Sequence, residues 1–462
     1  MTNSVDSKRI VPNELSMKIW SEEKDYLSTG ITRLTYELPI SFHKGKNDIL
    51  WDVDGQSYID WSGGTLTIST GHCNENVSEA IKKQIDLLWN VHDHPIPQRI
   101  EVLKKLRKLL GNDNYVYQFY SGGSEAIEAA IRAAYSYQSF RKRKIASFRE
   151  GFHGKTRGSI MAVHALYGKS VNPNYLAPVS IPFPKCYRCP YDKEKESCNL
   201  FCASETVRIL ESDPSIGMFI FEPILGTGGV YGPPPGFWDI VKKACRELKI
   251  LLIADEITAG AYRTGTFLAV EQLNISPDLV VFGKGIGSGF PAMILAGRKD
   301  IMCYPGVFCE DNSSSTIKKA EFLGQDFRAL GGASTTFGGN PLAIAAINAT
   351  LKEFDRLDIK SHIREVSNIL SSELLKMVES YNVLGEVRTW GLLIGVELVT
   401  DKKTKMPNQE LAINLYHRCA ENGLLIKMDD RGIIHITPPL TLTKENAIKS
   451  VQIFEDTLKE LL

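Results

Sequence analysis

No stretch of this chain is apolar for long enough to cross a bilayer. The first residues, MTNSVDSKRIVPNEL, contain no apolar signal core. Neither sign of charge is in excess, since Lys+Arg and Asp+Glu each number 54. That removes the electrostatic reason to expect nucleic acid or an anionic membrane as partner. Internal repeats and low-complexity linkers are missing too. Cysteine is sparse, nine in 462 residues, and scattered apart from one cluster. Free thiols of a cytoplasmic protein are expected from this, not a disulfide framework. What remains is ordinary for a soluble globular chain: 43% hydrophobic and 23% charged. The length allows a large core and more than one domain.

A phosphate-binding P-loop is also missing. "LLIADE" (Leu251–Glu256) resembles the apolar strand and acid of P-loop ATPases. That motif requires a glycine five residues before its Gly-Lys-Ser. The Gly-Lys-Ser here is Gly168–Ser170, and the required glycine position holds Val163.

From about Tyr115 to Gly297, short apolar runs alternate with helical patterns. Val116–Tyr120, Met218–Phe221, Ile250–Ala254 and Leu279–Phe282 read as strands. Gly123–Ala134 and Trp238–Leu248 read as helices. This order predicts a mostly parallel, doubly wound α/β sheet. "DILWDVDGQSYIDW" (Asp48–Trp61) reads as two short strands about a turn at Asp54-Gly55, in a small N-terminal subdomain.

Open α/β sheets bind ligands at the carboxyl ends of their strands. Three such ends carry chemistry. After Val116–Tyr120 comes "SGGSEAIEAA", glycines and serines opening a helix whose N–H groups suit a phosphate. After Ile250–Ala254 come Asp255 and Glu256, neighbours that face opposite ways on an extended chain, so one of them points at a given ligand. After Leu279–Phe282 comes Lys284, between glycines. An ammonium at the end of a buried strand must be paired, exposed or chemically used. A lone lysine there is most simply an exposed one. A phosphate cradle, a buried carboxylate and a lysine together form the set that pyridoxal phosphate needs. The lysine makes a Schiff base, the carboxylate keeps the pyridine nitrogen protonated, and the helix end holds the phosphate.

These residues belong to an ordered series: "LWDVDGQSYIDW", Gly71-His72, "SGGSEAIEAAIRAA", "GFHGKT", "FEPILGTGG", "LLIADEITAGAYRTG", "PDLVVFGKGIGSGFP", "TTFGGNPLA", "WGLLIGVEL" and "ITPPLTLT". The series covers almost the whole chain. It resembles the class III pyridoxal-phosphate aminotransferases of fold type I, such as acetylornithine, ornithine and 4-aminobutyrate aminotransferases. The resemblance implies a large, mostly parallel doubly wound sheet domain over 71–340. A smaller α/β domain is then expected from 1–70 and 341–462. By position it implies that Lys284 carries the cofactor and moves the substrate proton, and that Asp255 pairs with the pyridinium nitrogen. Gly122, Gly123 and Ser124 would hold the phosphate. Phe152 and His153 lie in the "FHG" contact, with Phe152 stacked on the ring and Ile257 on its other face. Glu222 would sit near the ring hydroxyl. Thr336 would reach the phosphate of a partner subunit, so a homodimer with shared active sites is implied.

Departures from the family pattern bear on substrate. Leu225 and Thr227 stand in "EPILGTGG" where the family usually has glutamine and glutamate. Thr258 stands for glutamine after "DEI". His435, in "HITPPL", stands for an arginine that in many members grips a substrate carboxylate. The glutamate at the Thr227 position holds that arginine aside, so the two losses are consistent. Arg431 and Arg263 are candidate replacements.

The cysteine cluster, Cys186, Cys189, Cys198 and Cys202, lies in an insertion over 184–203. Its first pair has metal-ligand spacing, and a structural zinc or an iron–sulfur cluster is one expectation. Free thiols or a disulfide in a surface insertion are the other. Two activities suit the scaffold. One is an aminotransferase, exchanging an amine for a carbonyl. The other is an amino-acid racemase or epimerase, because "VRTWGLLIGVELVTDKKTK" resembles a segment of some branched-chain epimerases in the family.

Overall fold

The computed structural model describes residues 14–28, 38–138, 142–163, 177–303 and 334–462. Gly168–Ser170 and all but the last two residues of the N-terminal stretch lie outside these. The chain divides into two compact units. One spans Asn76–Arg356, the other Met1–Glu75 with Leu357–Leu462.

The larger unit is built on a seven-stranded sheet. The strand order is Tyr115–Tyr120, Met293–Arg298, Leu279–Phe282, Leu251–Asp255, Ile216–Phe221, Lys144–Phe148 and Val179–Ile181. Met293–Arg298 runs antiparallel to both of its neighbours, and all the other pairings are parallel. Parallel strands are covered on both faces, so they read as continuous apolar runs. Ile216–Phe221 and Leu279–Phe282 are buried at every position.

The two faces differ in filling. Met218 and Ile220 point into a core with Ile253, Val281 and Leu295, against the helix Gly123–Tyr137. Its buried Ala126, Ala129, Ala130 and Ala134 let that helix lie close to the sheet. Phe219 and Phe221 point the other way, into a cluster with Phe148, Phe183, Phe237 and Trp238. Phe221 and Trp238 have ring centroids 4.3 Å apart. The period-2 alternation of a strand thus sends aliphatic residues to one layer and aromatic residues to the other. Helix Pro341–Arg356 packs on helix Pro97–Leu110 and on the short turn Lys284–Gly287, so it clusters with this unit.

In the smaller unit, Ile49–Asp52 and Ser57–Asp60 pair antiparallel about Gly55, whose φ of 89° needs a residue without Cβ strain. A second, antiparallel sheet has the order Leu384–Trp390, Leu393–Leu398, Ile433–Ile436 and Lys427–Met428. Helix Ile359–Ser380 covers it and packs on helix Lys444–Leu461. Arg388 lies opposite Gly395 in that sheet, which leaves room for its guanidinium to reach Glu397, with Nη1 to Oε2 at 2.6 Å. No helix among the described residues is long and apolar enough to cross a membrane.

Two cysteine expectations are corrected. Cys303 is disulfide-bonded, against the expectation of free thiols. Cys186, Cys189, Cys198 and Cys202 are not disulfide-bonded and line one cavity of about 220 Å³, together with Tyr191 and Phe201. Among the described residues, no group of three or more His, Cys, Asp or Glu side chains is arranged to hold a metal ion. Sharing a cavity wall is a looser arrangement than ligation. The zinc or iron–sulfur expectation is therefore without support.

Candidate active site

The C-terminal ends of the strands place the candidate residues on one edge of the large sheet. Asp255 is the last residue of Leu251–Asp255, and Glu222 directly follows Ile216–Phe221. Phe152 and His153 lie in the loop after Lys144–Phe148. Gly122 caps the helix Gly123–Tyr137, which begins just after Tyr115–Tyr120. Lys284 opens a short 3-10 turn after Leu279–Phe282.

The contacts join these loops into one network. Asp255 Oδ2 meets His153 Nδ1 at 2.8 Å, both buried. Asp255 Oδ1 accepts from Ile257 N at 3.1 Å. His153 must donate from Nδ1, because a carboxylate only accepts. Its Nε2 is buried without a partner. Glu222 accepts from two loops at once, Phe152 N at 2.9 Å and Gly226 N at 2.9 Å. Ser124 Oγ accepts from Lys155 N at 3.2 Å, tying the helix start to the "FHGK" loop. A Cβ on Gly123 would meet Ile257 Cδ1 at 3.1 Å, so the glycine turn and the Asp255 loop touch.

Lys284 Nζ donates to Thr258 Oγ1 at 3.1 Å. The lysine has φ of 45°, in the left-handed region that an L side chain enters only at a cost in energy. The preceding Gly283 allows this packing, because a Cβ there would fall 1.8 Å from Met293 Sδ. Burial lowers the Lys284 ammonium from its ordinary value, Glu222 and Asp255 oppose this, and Arg263 adds to it. Burial also pushes Glu222 up to about 7, with the Asp255 charge adding to the shift. A neutral or easily neutralised amine near buried carboxyl groups is suited to proton transfer and to carbonyl attack.

Asp255 and Glu256 do face opposite ways. Glu256 Oε1 accepts from Val270 N at 2.7 Å, in a different part of the unit, and burial pushes its carboxyl up to about 8. Thr336 is not drawn into the network. It is exposed, and its carbonyl accepts from Asn90 Nδ2 at 3.0 Å. Thr258 is the contact that sequence reasoning missed as a functional residue. Its substitution for the family glutamine was the available signal.

In the smaller unit His435 is buried, with Nε2 3.2 Å from Asp429 Oδ2. Arg431 is committed to the same carboxylate, with Nε to Oδ2 at 3.1 Å. Burial raises Asp429, but His435 and Arg431 outweigh it and hold the acid at about 2. An arginine so engaged is a poor replacement for a substrate-gripping one. Arg263 is buried in the larger unit.

The sequence model of the aminotransferase class-III family matches residues 32–458. The chain belongs to this family. It is 30% identical over 442 residues to a leucine/methionine racemase of Thermococcus litoralis, with 93% of each chain covered. It is 28% identical to the 4-aminobutyrate aminotransferase GabT of Escherichia coli, covering 91% of this chain and 94% of that one. A crystal structure of a Bacillus anthracis aminotransferase superposes with a TM-score of 0.85 at 24% identity, over 99% of this chain and 100% of the other, which shows the shared fold. The class III aminotransferase is thus a fold type I α/β enzyme, and pyridoxal 5'-phosphate is the cofactor expected of its family.

Proposed function

We propose that this class III enzyme is an aminotransferase that binds pyridoxal phosphate at the edge of the large sheet, with Lys284 as the residue that carries it. One observation carries the reading. A half-buried lysine, Lys284, lies at a strand end in the same sheet edge as the buried Asp255 carboxylate, which is itself fixed by His153 at 2.8 Å. The residues fit the cofactor in charge as well as in kind. The first turn of helix Gly123–Tyr137 offers N–H groups, where a phosphate would be held by Gly123 and Ser124, and by Gly122 once its N–H leaves the Glu125 carboxylate it now donates to at 2.9 Å. Phe152 and Ile257 provide apolar surface for a flat ring. When bound, the cofactor supplies an electron sink for the carbon from which a proton is removed. Lys284 takes that proton at Nζ and returns it. Asp255 holds a proton at the ring nitrogen through its negative charge. Glu222 keeps the Phe152 and Gly226 loops in place through its two backbone hydrogen bonds.

The same proposal includes a cytoplasmic homodimer in which Thr336 serves the partner's site. It also includes an amine or carbonyl substrate that no arginine grips at the His435 position. A primary amine, an amino sugar or an aldehyde fits this better than a conventional α-amino acid. An arginine fork to a carboxylate is bidentate, whereas a buried histidine facing Asp429 has at most one donor to offer.

A second reading is favoured by the 30% identity to a racemase: reprotonation of the substrate carbon from the opposite face. One experiment tests both. Purified yellow enzyme is reduced with borohydride, and the cofactor label is mapped by peptide mass. Unreduced enzyme is then mixed with single amines and amino acids, glutamate and alanine included. A label on Lys284 and conversion of the cofactor to its amine form support the aminotransferase. Solvent deuterium entering the substrate without cofactor conversion supports the racemase. A label on another lysine defeats the site assignment.

A further inference from the structure

Lys284 donates from Nζ to Thr258 Oγ1 at 3.1 Å. We infer that Thr258 is a positioning residue for the reactive lysine: its hydroxyl receives the Lys284 amine whenever that amine is not bonded to the cofactor. This rests on the reading of Lys284 given above.

The geometry of the threonine is set from three sides. Threonine is β-branched, which leaves few χ1 rotamers open. Gly226 closes one side. A Cβ built there would lie 2.4 Å from Thr258 Cγ2, 2.9 Å from its Cβ and 3.0 Å from Oγ1, so the methyl group already packs on glycine backbone. Gly226 cannot drift, because its N–H donates to Glu222 Oε2 at 2.9 Å. The third side is the chain itself. Ile257 N donates to Asp255 Oδ1 at 3.1 Å, which fixes the turn immediately before Thr258. With its methyl group held against Gly226, the hydroxyl is turned toward Lys284.

The consequence is electrostatic. A hydroxyl oxygen accepts from an ammonium and favours the charged amine, opposing burial, which disfavours it.

Three proteins are compared: wild type, Thr258→Val and Thr258→Ser. Valine keeps the branched shape and removes the hydroxyl. Serine keeps the hydroxyl. In cofactor-free protein, Lys284 is acylated by a small reagent across a pH series and quantified by peptide mass, since only the neutral amine reacts. The valine variant is expected to titrate about one pH unit lower, giving roughly tenfold more neutral amine at a fixed pH. The serine variant should stay near wild type. In loaded enzyme, kcat of the valine variant should fall roughly tenfold with KM little changed, and its pH profile should move in the same direction. An unchanged or raised titration in Thr258→Val overturns the inference, as does a serine variant that behaves like valine. The cofactor-free titration decides this even if borohydride marks a different lysine. That result would defeat the assignment of Lys284 as the reactive lysine, and the titration would then report only the contact between Thr258 and the Lys284 amine.

Discussion

Asp255 and Glu256 are neighbouring carboxyl groups with opposite surroundings, and each makes a testable prediction. Asp255→Asn keeps the shape of the side chain and the acceptor for Ile257 N, and loses the charge. Activity is expected to fall roughly 10²–10³-fold, the scale for one preorganised electrostatic contact, with an unchanged melting temperature. Near-normal turnover would move the carboxylate role elsewhere. Glu256 acts through stability. Its carboxyl sits at about 8 when folded, pushed up by burial, and near 4.5 when unfolded. Between those values the folded state binds more protons than the unfolded one, so stability is lost as pH rises. Urea midpoints of wild type should fall between pH 5 and about 9. Glu256→Gln removes one of two such groups, so its midpoint should fall less steeply than wild type across that window, the buried Glu222 still contributing up to about 7. A variant that falls as steeply as wild type would rule out Glu256 as the source. That one of the two acids must point away was legible from strand alternation alone. The Thr258–Lys284 contact was not, because it depends on a rotamer set by Gly226, and spacing along a chain carries no rotamers.

Among the elements, the sheet Leu384–Trp390, Leu393–Leu398, Ile433–Ile436 and Lys427–Met428 holds an ion pair in its interior. The side chains of Arg388 and Glu397 are 7% and 1% exposed, and the half-buried Glu386 joins Arg388 at 2.6 Å. Removing one partner leaves a buried charge. Arg388→Met is expected to cost about 3–5 kcal/mol in urea unfolding. Arg388→Met with Glu397→Leu should recover most of it, because an apolar pair avoids the desolvation of both ions. Equal losses in the single and double variants would show that the guanidinium stabilises by packing alone. The strands of the large sheet were readable as elements because each is a buried apolar run. Leu279–Phe282 matches its sequence reading residue for residue. The antiparallel strand Met293–Arg298 was not anticipated, since an apolar run carries no direction. The cysteine spacing misled for a related reason. Cys186 and Cys189 have ligand spacing in sequence, but the thiols merely border a shared cavity.

At the scale of the whole molecule, the family relationship was legible because its motifs run in order from end to end, and 32–458 match. The proposed dimer belongs to this scale. Sedimentation equilibrium at micromolar concentration should give twice the monomer mass. Thr336→Val should weaken cofactor retention without changing that mass, and a fully active monomer would exclude shared sites. The division of the chain has a further consequence, for synthesis. The smaller unit is discontinuous, built from Met1–Glu75 and Leu357–Leu462. Ile59, near the start of the chain, pairs with Leu424, near its end. A nascent chain has all the strands and site loops of the larger unit once Arg356 has left the ribosome. The N-terminal strands still lack their pairing partner then. At an elongation rate of about 5–20 residues per second they wait a further interval of about 3–14 seconds. Their edges are open throughout that interval, so a chaperone that shields the N-terminal strands would raise the yield of active enzyme more than one acting on the larger unit.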